Sequence, residues 1–288
     1  MKFTLSLAMC PLTELTELTR TAEECGFSSV ALPDSLFYSE HVSADYPYTA
    51  DGSRMWDADT PWADPLVTTA ALGAATERIR FYTSVLKLGP RNPVLLARQL
   101  ASVAVLTGDR FGLGVGVGWA PEEFEWCGAP FERRGARVDE SIEIIRRILR
   151  GGMVEYHGEH FDFGKLQMSP APDRAMPIYV GGHSKPALRR AARVGDGWAS
   201  AMMGIDELRS TIGTLSELRR EYGNTGPFEI QAVCVDRFGR DGYREQADIG
   251  VTDAITVPWM LEGYGFHAPL RDKQDSIRRF ADEVVSAF

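Results

Sequence analysis

Short apolar segments with strand character alternate with amphipathic segments of helical character along the whole chain. The predicted strands are Phe3–Ala8, Ser29–Leu32, Arg80–Ser84, Arg110–Gly116, Ile178–Val180, Gly197–Ala201, Phe228–Val235 and Ala254–Val257. The predicted helices are Leu12–Cys25, Pro65–Glu77, Pro93–Thr107, Arg134–Arg150, Lys185–Val194, Asp206–Tyr222, Tyr243–Asp248 and Lys273–Ala287. Eight strand–helix units favour an α/β fold with a closed parallel (β/α)8 barrel, a TIM barrel, over an open doubly wound sheet.

The length of 288 residues suits one such barrel, which needs roughly 250 residues before insertions. We therefore predict a single domain over residues 1–288. Two long segments interrupt the alternation: Pro33–Asp64 after the second strand, and Gly151–Pro177 before the fifth strand, which has the pattern of a hairpin. Long loops inside a compact domain are usually functional or packed on it, so we expect both to belong to the barrel domain.

The formal net charge of -9 argues against binding to nucleic acid or to an anionic membrane surface. The four cysteines include no C-x-x-C pair, so the sequence indicates neither a zinc site nor a disulfide framework, and no metal is expected. No apolar stretch approaches the roughly 20 residues that span a bilayer. These features predict a soluble cytoplasmic protein.

The loops that follow the strands form the active site of a (β/α)8 barrel. The first long segment follows a strand and should overhang this face, which we call the mouth. It brings several polar and aromatic side chains within reach of a ligand: Asp34, Glu40, His41, Tyr46, Arg54, Trp56 and Trp62. Asp34, Glu40 and His41 are the candidates for catalysis, and Trp56 and Trp62 for an apolar wall against the substrate.

The second long segment joins a helix to a strand, which predicts His157, Glu159 and His160 at the face opposite the mouth. This position, and a turn in place of a helix face, argue against a metal-binding role for the His-x-x-His spacing.

Glycines alternate with Leu and Val from Gly112 to Gly118, just before Trp119. The run does not fit the Gly-x-Gly-x-x-Gly motif of dinucleotide-binding folds in any register. It predicts a strand with one face that lacks side chains, leaving room for a neighbouring backbone or a planar ligand. Close packing inside the barrel is the alternative.

The fifth strand is followed by Gly181-Gly182-His183-Ser184, with Pro186 just inside the next helix. Ser184 is suited to cap that helix, and a helix N-terminus with glycines beside it can bind phosphate. The alternative is an ordinary capped turn.

At these residues the chain resembles the luciferase-like monooxygenase superfamily, and more closely its branch of oxidoreductases that use the deazaflavin coenzyme F420, as found in mycobacteria and related actinomycetes. The likeness covers nearly the whole chain. The motifs that carry it are Gly26-Phe27 with Pro33-Asp34, Thr83-Ser84-Val85-Leu86, Asn92-Pro93, Gly114-Val115-Gly116 with Gly118-Trp119, Glu122-Glu123-Phe124, Arg134-Gly135, Gly181 to Ser184 and Gly195-Asp196-Gly197-Trp198.

The resemblance implies a barrel that holds an isoalloxazine-like ring at its mouth and pairs as a homodimer. It also implies a non-proline cis peptide at the end of the third strand, around Ser84, that backs the ring. The cofactor-binding residues that it carries over are Thr83, Ser84, Val85, Gly116, Gly118, Trp119, Glu123, Phe124, Gly181, Gly182, His183 and Ser184. The expected cofactor is F420, with FMN as the alternative.

The chain departs from the family pattern at one position of consequence. Many deazaflavin enzymes have Asp-His where this chain has Asp34-Ser35, and that histidine is often assigned a catalytic role. A serine cannot replace an imidazole, so Glu40 and His41 become the candidate proton donors.

Three functions are consistent with these observations. The first is an enzyme that transfers a hydride between F420 and a small organic substrate. The second is an FMN-dependent monooxygenase that uses molecular oxygen. The third is a protein that binds flavin or deazaflavin without catalysis, which the Asp34-Ser35 departure would allow.

Overall fold

A computed structural model describes residues 1–288. Its strands are β1 Lys2–Ser6, β2 Ser29–Leu32, β3 Arg80–Thr83, β4 Leu86–Lys87, β5 Phe111–Gly116, β6 Val154–His157, β7 Asp162–Leu166, β8 Ile178–Gly181, β9 Gly197–Met203, β10 Glu229–Cys234 and β11 Asp253–Thr256. The strands β1, β2, β3, β5, β8, β9, β10 and β11 pair in parallel in this order, and β11 pairs with β1 to close the ring. The predicted (β/α)8 barrel is confirmed.

The third barrel strand is interrupted, because β4 continues it and pairs with β5 after a break of two residues. The Ser84–Val85 peptide in this break is cis, as the family resemblance implied. Thr83 at the end of β3 donates a hydrogen bond from its hydroxyl to the Gly114 carbonyl at 2.6 Å. The break therefore lies against the glycine-rich strand β5.

The helices follow the strands around the outside of the barrel. They are α1 Leu15–Glu24, α2 Pro65–Ala74, α3 Pro93–Leu106, α4 Pro121–Trp126, α5 Arg134–Leu149, α6 Lys185–Val194, α7 Ile205–Glu221, α8 Gly239–Asp248, α9 Pro258–Leu261 and α10 Leu270–Glu283. Proline occupies the first turn of α2, α3, α4, α6 and α9, where its missing N–H costs no hydrogen bond. The short helices α4 and α9 were not predicted. None of the helices is both long and apolar enough to cross a membrane.

Alternation along the strands produces two separate buried layers. Val30, Phe81 and Val180 point outward and pack with apolar residues of the helices. Their neighbours Tyr82 and Tyr179 belong to a smaller cluster that contains only strand residues and therefore fills the barrel interior.

Charged residues cluster at the N-terminal ends of the barrel strands. Asp253 begins β11, is buried, and accepts hydrogen bonds from the Thr4 hydroxyl at 2.8 and 3.0 Å. Lys2 pairs with Glu229 at 3.1 Å beside it. Burial raises the pKa of Asp253 to about 6 from an ordinary value of 3.8. The N-terminal end of the barrel is therefore lined by polar and charged side chains.

The hairpin β6–β7 confirms the predicted structure of the second long segment, but the predicted position of its turn is wrong. Glu140 of α5 accepts hydrogen bonds from three amides of the turn: Glu159 at 2.9 Å, His160 at 3.0 Å and Phe161 at 3.1 Å. Glu159 also forms an ion pair with Arg133, which precedes α5. Since α5 begins at the mouth, the hairpin runs back along this helix and its turn lies at the mouth side.

Candidate active site at the barrel mouth

The segment Pro33–Asp64 contains neither helix nor strand and lies over the mouth, as predicted. Its aromatic rings contact one another and the loops that follow β5 and β8. The Tyr46 ring lies 5.3 Å from Trp119 and 5.1 Å from Trp56, both edge-on, and Tyr48 lies 5.2 Å from His183. We call residues 33–64 the mouth segment. It bridges the two loops that the resemblance assigns to the cofactor.

Asp34 is fully engaged in an ion pair. Its side chain is only 2% exposed and accepts both guanidinium N–H groups of Arg91, at 2.8 and 2.9 Å, together with the Lys87 amide at 2.8 Å. Both carboxylate oxygens therefore have strong donors. Asp34 joins the mouth segment to the end of β4, which makes it a positioning residue in this arrangement.

A second buried ion pair lies beside the first. The Lys87 ammonium donates to Glu123 Oε1, and both side chains are almost completely buried. Burial raises the pKa of Glu123, and the Lys87 charge opposes this increase. The other oxygen of this carboxylate, Oε2, is buried and has no hydrogen-bond partner.

A small cavity that is partly open to solvent lies between the mouth segment and α4, with room for about one water molecule. Ser35, Trp56, Trp119 and Glu123 line it together with Arg54. The structure thus brings together predicted residues from the substrate and cofactor groups at one place.

The glycine face of β5 is filled by protein. A side chain at Gly114 would come within 1.8 Å of the Thr83 carbonyl, and one at Gly116 within 2.9 Å of Val85. Gly181 faces the same valine, at 3.0 Å from its position for a Cβ atom. The structure shows close approach of a neighbouring backbone, one of the interpretations of the glycine run. Val85 contacts two of the predicted cofactor-binding glycines, Gly116 and Gly181.

The loop Gly182–Ser184 presents three consecutive backbone amides, and none donates to another protein group. Gly182 has a φ of +110°, a conformation that favours glycine. Ser184 caps α6 as predicted, and the first turn of this helix contains no acidic residue. Free amides at a helix N-terminus form an anion-binding site, so the loop fits the phosphate of a flavin-type cofactor.

His183 is held as a neutral imidazole. Its Nε2 accepts a hydrogen bond from the Ala201 amide at 2.9 Å, and burial lowers its pKa. An Nε2 that accepts leaves the proton on Nδ1, so any anion bound here would be held by the amides and not by an imidazolium charge.

Phe124 supports the loop at Gly118-Trp119, which the resemblance assigns to the cofactor. Its buried ring would lie 2.8 Å from a side chain at Gly118, whose φ is +89°, and it packs edge-on against Phe131. Arg134 Nε donates to the Gly118 carbonyl at 3.1 Å. These contacts fix the backbone that precedes Trp119.

Three predicted residues lie apart from this arrangement. Glu40 and His41 are exposed on the mouth segment, and neither side chain forms a hydrogen bond with another protein group. Trp62 packs edge-on against Trp56 at 5.6 Å and does not line the cavity; its indole N–H is buried without a partner. The catalytic role of Glu40 and His41 and the substrate role of Trp62 stay predictions.

The sequence analysis missed Lys87, Arg91 and Tyr48. A lone lysine in the apolar run from Val85 to Leu88 was the available signal, because a charge inside a buried strand needs a partner. No group of three His, Cys, Asp or Glu side chains comes together in a way that could hold a metal ion.

A comparison with known protein families supports the fold and identifies the family of the chain. Residues 4–276 match the family described as luciferase-like monooxygenase. The chain belongs to this family. The resemblance read from the motifs is confirmed, and it indicates an enzyme of the oxidoreductase or monooxygenase type.

Relatives of this luciferase-like chain include proteins of Mycobacterium and Microbacterium species. An uncharacterized protein of Mycobacterium tuberculosis (strain ATCC 25618 / H37Rv) is 44% identical over 289 residues, which cover 99% of each chain. An F420-dependent glucose-6-phosphate dehydrogenase of Microbacterium testaceum is 35% identical over 190 residues, 64% of this chain and 51% of that protein.

Solved structures of the same fold include both cofactor types. A monooxygenase from Streptomyces bottropensis has a TM-score of 0.75 at 18% identity and covers 100% of this chain and 99% of its own. Coenzyme F420 dependent tetrahydromethanopterin reductase from Methanopyrus kandleri has a TM-score of 0.75 at 16% identity, with the same coverage. The FMN complex of a 3,6-diketocamphane monooxygenase from Pseudomonas putida has a TM-score of 0.64 at 20% identity and covers 92% of this chain and 74% of its own.

Proposed function

We propose that this luciferase-like protein is an F420-dependent oxidoreductase that transfers a hydride between the deazaflavin and a small organic substrate. The observation that carries the proposal is the set of free amides at Gly182–Ser184, beside Val85 at the mouth. Relatives and fold neighbours named for F420 support the choice of cofactor.

When bound, the deazaflavin would supply the ring carbon that exchanges the hydride. The Gly182–Ser184 amides would hold its phosphate, and Val85 would lie behind its ring. The mouth segment would exclude water and hold the substrate in reach of the ring, since orientation is the main contribution of a protein to cofactor chemistry.

A second candidate is an FMN-dependent monooxygenase that uses molecular oxygen. The family description and two of the fold neighbours favour it, and one of these neighbours is a complex with FMN. A phosphate at Gly182–Ser184 would serve either cofactor, so binding of F420 and FMN must be measured side by side.

The test is a paired titration of the protein with F420 and with FMN, followed by fluorescence and calorimetry. We expect F420 to bind more tightly than FMN. Preference for FMN would support the monooxygenase, and binding of neither would contradict both proposals. Multiple turnovers with any substrate would exclude a protein that only stores the cofactor.

The substitution Gly182→Val tests the phosphate position. A side chain there would lie 3.0 Å from Ala187 and would need a φ of +110°, so we expect F420 affinity to fall at least about tenfold. Gly164→Val in β7 is the matched control, because no atom lies within 4 Å of its Cβ position. Equal affinity in both variants would place the phosphate elsewhere.

The homodimer, the small-molecule substrate and the cytoplasmic location stay predictions. A dimer would cover the exposed apolar side chains of α2 and α3, among which Val67 and Leu95 are 71% and 69% exposed.

A further inference from the structure

The strands β9, β10 and β11 reach the mouth with apolar side chains on their inner face. Val233 packs against the interior cluster that contains Ile255. Met202 is the direct partner of Val233 where β9 pairs with β10, so the two side chains lie on the same face of the sheet. Val235 and Val257 follow Val233 and Ile255 by two residues and therefore also lie on this face. We call Met202, Val235 and Val257 the apolar wall.

The apolar wall is open to solvent. Met202 and Val235 are 43% and 46% exposed, although residues one layer deeper in the barrel are packed. Leu261 and Tyr264, which follow soon after β11, are exposed as well. Single exposed apolar residues are common, but a group of them at one place marks a surface that binds something.

The charges on this side of the mouth do not suit an anion. The loops that follow β1, β9, β10 and β11 contain a single Lys or Arg, Arg237, whose Nε pairs with Glu245 at 2.9 Å. The mouth segment has seven acidic residues and one arginine, and only Asp34 of these acids forms an ion pair. An anionic substrate would be repelled by this field and would find no free cation at the wall.

The apolar wall lies across the barrel from the position proposed for the cofactor ring. Val85 is at the interruption of the third barrel strand, between β3 and β5, whereas β10 and β11 stand four places further round the closed ring of strands. The Ala201 amide, next to Met202, donates to His183 of the phosphate loop at 2.9 Å. A ring with Val85 behind it would therefore present its other face to the wall.

We propose that Met202, Val235 and Val257 bind the apolar body of an uncharged substrate, held between this wall and the cofactor ring. The inference rests on the proposed hydride-transfer function and names its substrate class. The substrate would be a neutral organic molecule with an alkyl or ring body, and sugar phosphates and other anions would be excluded.

The test is a calorimetric titration with N-butyl-, N-hexyl- and N-octylacetamide, which are neutral and differ only in methylene groups. Full burial of a methylene group strengthens binding about fourfold, so we expect about twofold to threefold for each one against this partly open wall. Phosphate buffer is used, so that inorganic phosphate competes for the Gly182–Ser184 loop. Glucose 6-phosphate, named in the description of one relative, is the charged probe and should show no binding.

Two variants locate the binding. Val235→Asp adds a charge to the wall and Met202→Ser shortens it, so both should lose most of the dependence on chain length. Both positions are exposed, and the fold should tolerate either change. Met153→Asp, at a position 69% exposed and remote from the mouth loops, is the control and should behave as wild type.

Three results would overturn the apolar wall as a substrate site. The first is a wild type without chain-length dependence, and the second is the same dependence in all variants. The third is tighter binding of glucose 6-phosphate than of N-hexylacetamide. Sedimentation velocity tests a rival occupant, a second copy of the chain. A change of oligomeric state in Val235→Asp but not in Met153→Asp would assign the wall to a subunit interface instead.

The cofactor titration separates this inference from the function on which it rests. We expect Val235→Asp to bind F420 as tightly as wild type does, and a loss of F420 affinity would assign the wall to the ring. A wild type that shows the chain-length dependence but does not bind F420 would refute the proposed function alone. Binding of F420 without any chain-length dependence would refute the substrate class alone.

Discussion

Individual residues at the mouth divide into those whose polar atoms are all paired and those with a buried atom that lacks a hydrogen-bond partner. Asp34 was predicted to be catalytic from its position after the second strand, but its two oxygens bind Arg91 and the Lys87 amide. Glu123 was predicted to bind the cofactor, and one of its oxygens is free. Position along the chain finds such residues, whereas their partners depend on folded geometry.

The substitution Asp34→Asn should mainly reduce stability. It leaves the Arg91 charge largely buried without a counter-charge, which costs about 3 kcal/mol in the free energy of unfolding. Glu17→Gln, which breaks the exposed pair with Arg20, should cost less than about 1 kcal/mol. Urea denaturation measures both. An Asp34→Asn variant with normal stability and no activity would instead place Asp34 in the chemistry.

At the scale of elements, the sequence predicted the eight barrel strands and their main helices well. The alternation of strand-like and helix-like segments and the prolines at helix starts are local signals. Helices such as Pro93–Leu106 therefore agree with prediction to within a residue. The hairpin was also visible, but the position of its turn was not. Which end of the barrel it reaches depends on Glu140 and Arg133, which are distant in sequence from the turn.

Glu140 should control the order of this hairpin. Glu140→Ala removes the acceptor for the amides of Glu159, His160 and Phe161, so we expect faster hydrogen exchange across 154–166 and little change in the barrel. Glu155→Ala, an exposed change in β6, is the control. Exchange that rises equally throughout the chain would contradict a local role.

For the whole molecule, the two ends of the barrel differ in their polar chemistry. The mouth has ion pairs that link loops, whereas the opposite end has a buried carboxylate, Asp253, whose pKa is raised to about 6 by burial. The folded chain therefore binds a proton at this site at pH values where the unfolded chain has released it. The contribution of Asp253 to stability is present below pH 4 and is lost as the pH rises through 6.

Asp253→Asn should therefore make the protein more stable above pH 6, by up to about 2 to 3 kcal/mol. The amide oxygen can still accept the Thr4 hydroxyl. The measurement is the free energy of unfolding of wild type and variant from pH 4 to 8, with exposed Asp241→Asn as control. Two parallel profiles would mean that Asp253 keeps an ordinary pKa in the folded protein.

The mouth segment covers both halves of the proposed site, since Ser35 faces the cavity while Tyr48 contacts His183 beside the phosphate loop. A ligand bound in either half would contact residues 33–64. Movement of this segment would then affect the exchange of both ligands together. A substitution that slows the movement would lower both association rates in parallel.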